Sequence, residues 1–146
     1  MTDFSVTSGV TGENQDTRWR ASSHGEDSAR PGQLDPTAFT SGTHYNLGGK
    51  TDNVIPSGVA VAELASGLYG PYDAAAGTTG DVRRILAGYI NDNAGVSLGK
   101  TPATSKPTFA LLKHGFIKAS RLPIAAQRTT VTTAVATTGT FTYVED

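Results

Sequence analysis

A small, β-rich fold built from short strands is what this sequence predicts, and three observations predict it. Seventeen glycines and seven prolines in 146 residues break up long helices and favour short strands joined by tight turns. After Asn53 the apolar residues come in short runs separated by glycine turns, the pattern of successive strands. Before Asn53 the large apolar residues stand alone. The chain therefore divides into a long N-terminal arm, 1–53, and a head, 54–146.

Composition bounds what such a chain does. The head has about 93 residues, close to the lower end of independently stable cores, so its core must be thin. Twelve basic residues against thirteen acidic leave a net charge of -1, which argues against direct nucleic-acid binding. The absence of cysteine excludes disulfides and thiolate metal sites. Met1-Thr2-Asp3-Phe4-Ser5 opens without a basic flank or an apolar core, and no run approaches the roughly 18 apolar residues of a membrane span. The expectation is a protein neither carrying a classical secretion signal nor embedded in a membrane.

Within the arm, Phe4, Val6, Val10, Trp19, Leu34, Phe39, Tyr45 and Leu47 form no helical stripe and alternate only around Phe4 and Val6. Arg30-Pro31-Gly32 and Asp35-Pro36 read as turn or extended signals. The arm is expected to be largely disordered by itself. It is either a solvated tail or a segment that orders on a partner. Trp19, the only tryptophan, sits between Arg18 and Arg20 and has the composition of an interface anchor outside the core. Trp19, Arg20, Phe39, Tyr45 and Leu47 are the expected partner contacts.

In the head, Val59 to Leu64 alternates as a strand, and Gly67 to Asp73 reads as a short strand ending in a turn. Ala74 to Gly80 is a loop. Val82 to Ile90 has the continuous apolar middle of a strand buried on both faces. Asn91 to Lys106 reads as a long polar loop. Thr108 to Lys113 and Phe116 to Ala119 suggest a hairpin turning at His114-Gly115. Pro123 suits the first turn of a helix, yet the threonine-rich run from Thr129 to Thr138 fits a strand equally well. Thr140 to Val144 alternates as a terminal strand. The expected core is Val59, Val61, Leu64, Ile85, Leu86, Tyr89, Phe109, Leu111, Phe116, Ile117 and Phe141.

No catalytic or metal constellation emerges. Ala94 to Thr101 ends like a phosphate-binding loop, but Ala94 stands where the first glycine belongs and Pro102 follows where a helix should start. His24, His44 and His114 lack metal-ligand spacing and read as unrelated surface residues. Asn91-Asp92-Asn93 hints at a calcium loop without the later glutamate, and reads as a turn with self-capping amides. Glu26-Asp27 and Glu145-Asp146 lie in arm and terminus, away from any dry pocket. There is no G-x-S-x-G turn. The expectation is no enzyme and no cofactor.

Three local patterns carry a family resemblance: Gly77-Thr78-Thr79 before Ile85-Leu86-Ala87, Lys113-His114-Gly115 between two strands, and Gly139-Thr140 opening the last strand. In their order and spacing, from about Ile55 to Val144, the chain resembles the lambda-type bacteriophage head decoration proteins. The entry Ile55-Pro56-Ser57-Gly58 is also in keeping. The resemblance implies an α+β fold of the β-tulip kind, with short strands and one short helix around Leu122 to Ala136. It further implies a structural virion protein, made in the host cytoplasm, that sits as a homotrimer on the outer capsid surface at threefold and quasi-threefold sites. There it would cement the phage major capsid protein of the expanded head against DNA pressure, through an arm that orders on the lattice. The longer arm and the threonine-heavy helix segment depart from the lambda type. The alternative reading is a virion-displayed carbohydrate- or receptor-binding β module, with Tyr69, Tyr72 and Tyr89 as a stacking platform. A lytic or accessory hydrolase has no supporting motif.

Overall fold

The computed structural model describes residues 16–25, 29–134 and 136–145. Phe4, Val6, Val10, Glu26, Asp27 and Asp146 lie outside the described residues. The described chain is a small α+β, β-rich fold of short strands with one short α-helix.

Its centre is a five-stranded antiparallel sheet. The strands are β1 (Arg30–Gln33), β3 (Ala60–Glu63), β4 (Tyr69–Pro71), β6 (Gly88–Ile90) and β8 (Thr108–Leu112), in the order β1-β8-β6-β3-β4. The two ends of that order meet: Leu34, next after β1, bridges to Tyr69 of β4, and the Asp35 amide donates to the Tyr69 carbonyl at 2.9 Å. The sheet thus closes on itself. Gly32 lines the enclosed face, where a Cβ would stand 2.9 Å from the Phe109 ring and 3.1 Å from the Tyr69 ring. Gly88 allows β6 and β8 to approach, since a Cβ there would overlap the Leu112 carbonyl oxygen.

Alternation along these strands sends side chains to two cores. Val61, Ile90, Phe109 and Leu111 join Leu34, Phe39, Tyr45, Ile55, Val96 and Leu98 in one cluster. Ala60, Tyr89 and Leu112 join Trp19, Tyr72, Leu86, Ile117, Leu122 and Val131 in the other. A thin domain is held together by being two-sided.

Smaller ladders complete the fold. Strand β2 (Val54–Ile55) pairs with β7 (Val96–Ser97), β5 (Ile85–Leu86) with β10 (Ala136–Thr137), and β9 (His114–Ile117) with β11 (Thr140–Tyr143). The last two ladders are parallel. Helix α1 (Ala125–Thr130) continues as a 3-10 turn over Val131–Thr133, so the ambiguous segment is helical up to Thr133 and extended at β10. Buried Gln127 docks α1 onto the sheet: its amide accepts from the Ala60 N–H at 2.9 Å and donates to the Ala60 and Tyr72 carbonyls at 3.0 and 2.9 Å.

Three expectations are corrected. Asn53 is not a boundary of packing, because β1, Trp19, Leu34, Phe39 and Tyr45 are built into the sheet and its two clusters. Of the two readings of Arg30-Pro31-Gly32, turn or extended, the extended one holds, with Pro31 opposite Ala110 on the first strand of the order. Val82–Arg84 forms a 3-10 turn capped by Asp81, and the strand that follows breaks at Ala87 so that β5 and β6 serve different sheets. The hairpin does not form: β8 pairs with β1 and β6, whereas β9, one residue later, pairs with β11. Phe116 is consequently exposed, and Leu64, Ile85 and Phe141 are half-buried, while the other expected core residues are buried.

Candidate functional site

The N-terminal segment is fastened to the outer side of β9. Trp19, Arg20 and Ala21 run antiparallel to Phe116–Lys118, with the Lys118 amide donating to the Trp19 carbonyl at 2.7 Å and the Ala21 amide to the Phe116 carbonyl at 2.9 Å. The Trp19 indole is fully buried and donates from Nε1 to the Ser57 hydroxyl at 3.0 Å. Gly58, at φ +93, lies beneath it, where a Cβ would come within 2.7 Å of the ring. Proximity of Trp19 to Tyr89, with ring centroids 5.7 Å apart, ties this anchor to the second cluster.

Arg20 closes over the indole, its guanidinium carbon 5.0 Å from the ring centroid. It donates to the Asn91 carbonyl and Oδ1 at 2.9 and 2.6 Å and also to Asn93 Oδ1. Asp92 Oδ1 accepts from the Ala110 amide at 2.8 Å. The oxygens that hinted at a calcium loop are thus engaged by Arg20 and by β8. They hold the N-terminal segment in place instead of merely capping their own turn.

The other expected contacts separate by burial. Phe39 and Tyr45 belong to the first cluster, whereas Leu47, in the 3-10 turn Leu47–Gly49, and Arg20 are half-buried. Trp19, Phe39 and Tyr45 are therefore core residues, a correction to their reading as exposed anchors. His44 packs edge-on against Phe39 at 5.8 Å, and its Nδ1 accepts from the Thr40 amide at 2.9 Å. Burial pushes its pKa below the ordinary histidine value.

The tyrosine platform is likewise absent. Tyr89 and Tyr72 are buried and Tyr69 is half-buried, so these three rings offer no open stacking face. The Tyr89 hydroxyl meets that of Tyr143 at 2.8 Å, and burial pushes both pKa values up. The loop resembling a phosphate cradle runs into a single 3-10 turn over Pro102–Thr104, and the Gly99 carbonyl accepts from Asn53 Nδ2 at 2.9 Å.

Comparisons with protein families, curated proteins and solved structures found no match. The surface must speak for itself.

Two features of that surface stand out, and both involve β9. Phe116 and Val82 are the exposed large hydrophobic residues among those described, at 36% and 38%. Beside Phe116, His24 and His114 face each other with their Nε2 atoms 2.6 Å apart, and the His24 ring stands 5.5 Å from that of Phe116. The sequence reading missed this pair. Ninety positions separate the two histidines, and the pairing of Trp19–Ala21 with Phe116–Lys118 brings their segments together.

Proposed function

We propose that the protein is a structural virion protein of the phage head-decoration kind, binding as a trimer to the outer face of the expanded capsid. One observation carries the reading: a part of each of the three patterns behind the resemblance, Ile85-Leu86, Lys113-His114 and Gly139-Thr140, belongs to one connected set of strand pairs. Ile85 and Leu86 pair with Ala136 and Thr137, which leads directly to Gly139-Thr140. Thr140 in turn donates its amide to the Lys113 carbonyl at 2.8 Å and pairs with His114. Gly139 has a role here, since a Cβ would stand 2.8 Å from that carbonyl and 2.5 Å from the Phe141 ring. Segments far apart in sequence thus serve one structural junction, which supports reading the patterns together.

In this reading the capsid meets side chains that remain accessible. Arg20 and Leu47 stay as contacts, and Trp19, Phe39 and Tyr45 act from within by holding the surface in shape. The resemblance implies an N-terminal arm that binds the lattice. An extended segment that pairs with a sheet edge gains backbone hydrogen bonds while its side chains set register. Ordering costs about 1 to 2 kcal/mol per residue, so one arm binds weakly. Three arms on a trimer raise the avidity by about 10² to 10⁴.

Co-sedimentation with expanded heads and with unexpanded procapsids of the parent phage tests the proposal. Full-length protein should pellet with expanded heads, and a chain starting at Asp16 should bind more weakly. Absence of binding to either particle overturns the assignment.

A further inference from the structure

The His24 and His114 imidazoles point at each other through the same atom, with Nε2 to Nε2 at 2.6 Å, ring centroids 4.6 Å apart and planes at 62°. Both residues are exposed. Their apposition is built into the backbone on both sides. Gly25 has φ +90, and a Cβ there would overlap the His114 carbonyl oxygen; a Cβ on Gly115 would stand 3.1 Å from the His24 carbonyl oxygen. Two glycines, one beside each histidine, let the chains abut so that the side chains converge.

We propose that His24 and His114 form an open, two-histidine binding site for a divalent transition ion, zinc in the first instance. Imidazole nitrogen suits zinc, copper and nickel, whereas calcium and magnesium require oxygen ligands. Two zinc–nitrogen bonds of about 2.0 to 2.1 Å at a tetrahedral angle place the nitrogens about 3.3 Å apart. The pair therefore opens by less than about 1 Å, within reach of small side-chain rotations at an exposed site. In the metal-free pair one Nε2 carries the hydrogen and the other accepts it. Metal binding needs both lone pairs, so the first ring moves its hydrogen to Nδ1.

Among the described residues no group of three or more His, Cys, Asp or Glu side chains is placed to hold a metal. Among the described residues, then, the two imidazoles supply two of the four positions of a tetrahedral ion. A closed four-ligand site would only stabilise the fold. An open one on β9 can bridge to a second surface.

Untagged full-length protein titrated calorimetrically with zinc sulfate tests the site, beside His24→Gln, His114→Gln and His44→Gln. The expected result is one equivalent of zinc per chain, weakened at least about tenfold in each of the first two variants and unchanged in the third. Magnesium should give no binding heat. Equal affinity in wild type and both pair variants overturns the proposal. Imidazole nitrogen NMR of the wild type gives a readout independent of any variant's folding. Zinc should move the signals of two of the three histidines, and a titration that moves none or all of them also overturns it.

Discussion

Trp19 shows how a single residue misleads when read by its neighbours. Its flanking arginines suggested exposure, but Arg18 turns back to Asp16 with a 2.9 Å ion pair and Arg20 folds across the indole. Charge on either side of an aromatic residue says nothing about where its ring goes when the charges have partners of their own. Tyr89 carries a prediction at this scale. It is buried, and burial first and the Tyr143 hydroxyl second raise its pKa above the ordinary 10.0. Below pH 10 the folded and unfolded chains both hold the proton, and the pair adds no pH dependence. Above pH 10 the unfolded chain releases it while the folded chain keeps it, so stability falls with rising pH, by about 1.4 kcal/mol per pH unit for one such group. Alkaline titration followed by tyrosinate absorbance and circular dichroism should show buried tyrosines ionising together with unfolding. Full ionisation near pH 10 with the fold intact would contradict the buried Tyr89–Tyr143 pair.

Elements were legible where a short local run, bounded by turn residues, marks the strand by itself. Ala60–Glu63, Tyr69–Pro71 and Thr140–Tyr143 lie within the stretches where the pattern puts them. Legibility failed where a long-range partner decides. His114-Gly115 resembles a turn, yet the chain simply changes sheets there, because β11 takes β9 in parallel while β1 takes β8. Nor does any local signal mark Gln127, whose amide takes the place of a neighbouring strand beside Ala60 and Tyr72. Glutamate at 127 tests this docking. It can still accept from the Ala60 amide but, when ionised, faces two carbonyls with no proton to donate. Gln127→Glu should lower stability by about 1 to 3 kcal/mol or more at neutral pH, read as a lower urea midpoint. The difference from wild type should shrink as acid protonates the carboxylate. An unchanged midpoint at neutral pH would show that α1 does not depend on these bonds.

At the scale of the whole molecule, the misread arm shows what periodicity detects. It finds elements that bury a continuous face, whereas residues 16–53 contribute Trp19, Leu34, Phe39 and Tyr45 one at a time, each inserted into a core built by strands elsewhere. The same segment supplies β1 and the bridge from Leu34 to Tyr69 that closes the central sheet. Fully burying such side chains contributes about 1.5 to 3 kcal/mol each. Losing four of them removes roughly 6 to 12 kcal/mol, comparable with the 5 to 15 kcal/mol that holds an average domain together. A chain starting at Val54 should therefore fail to fold, with no cooperative thermal transition and collapsed amide dispersion in its NMR spectrum. A chain starting at Asp16 keeps every one of these contacts and should melt cooperatively, close to the full-length protein. Cooperative, native-like melting of the Val54 chain would instead restore the boundary at Asn53 and make residues 16–53 an appendage to a self-sufficient head.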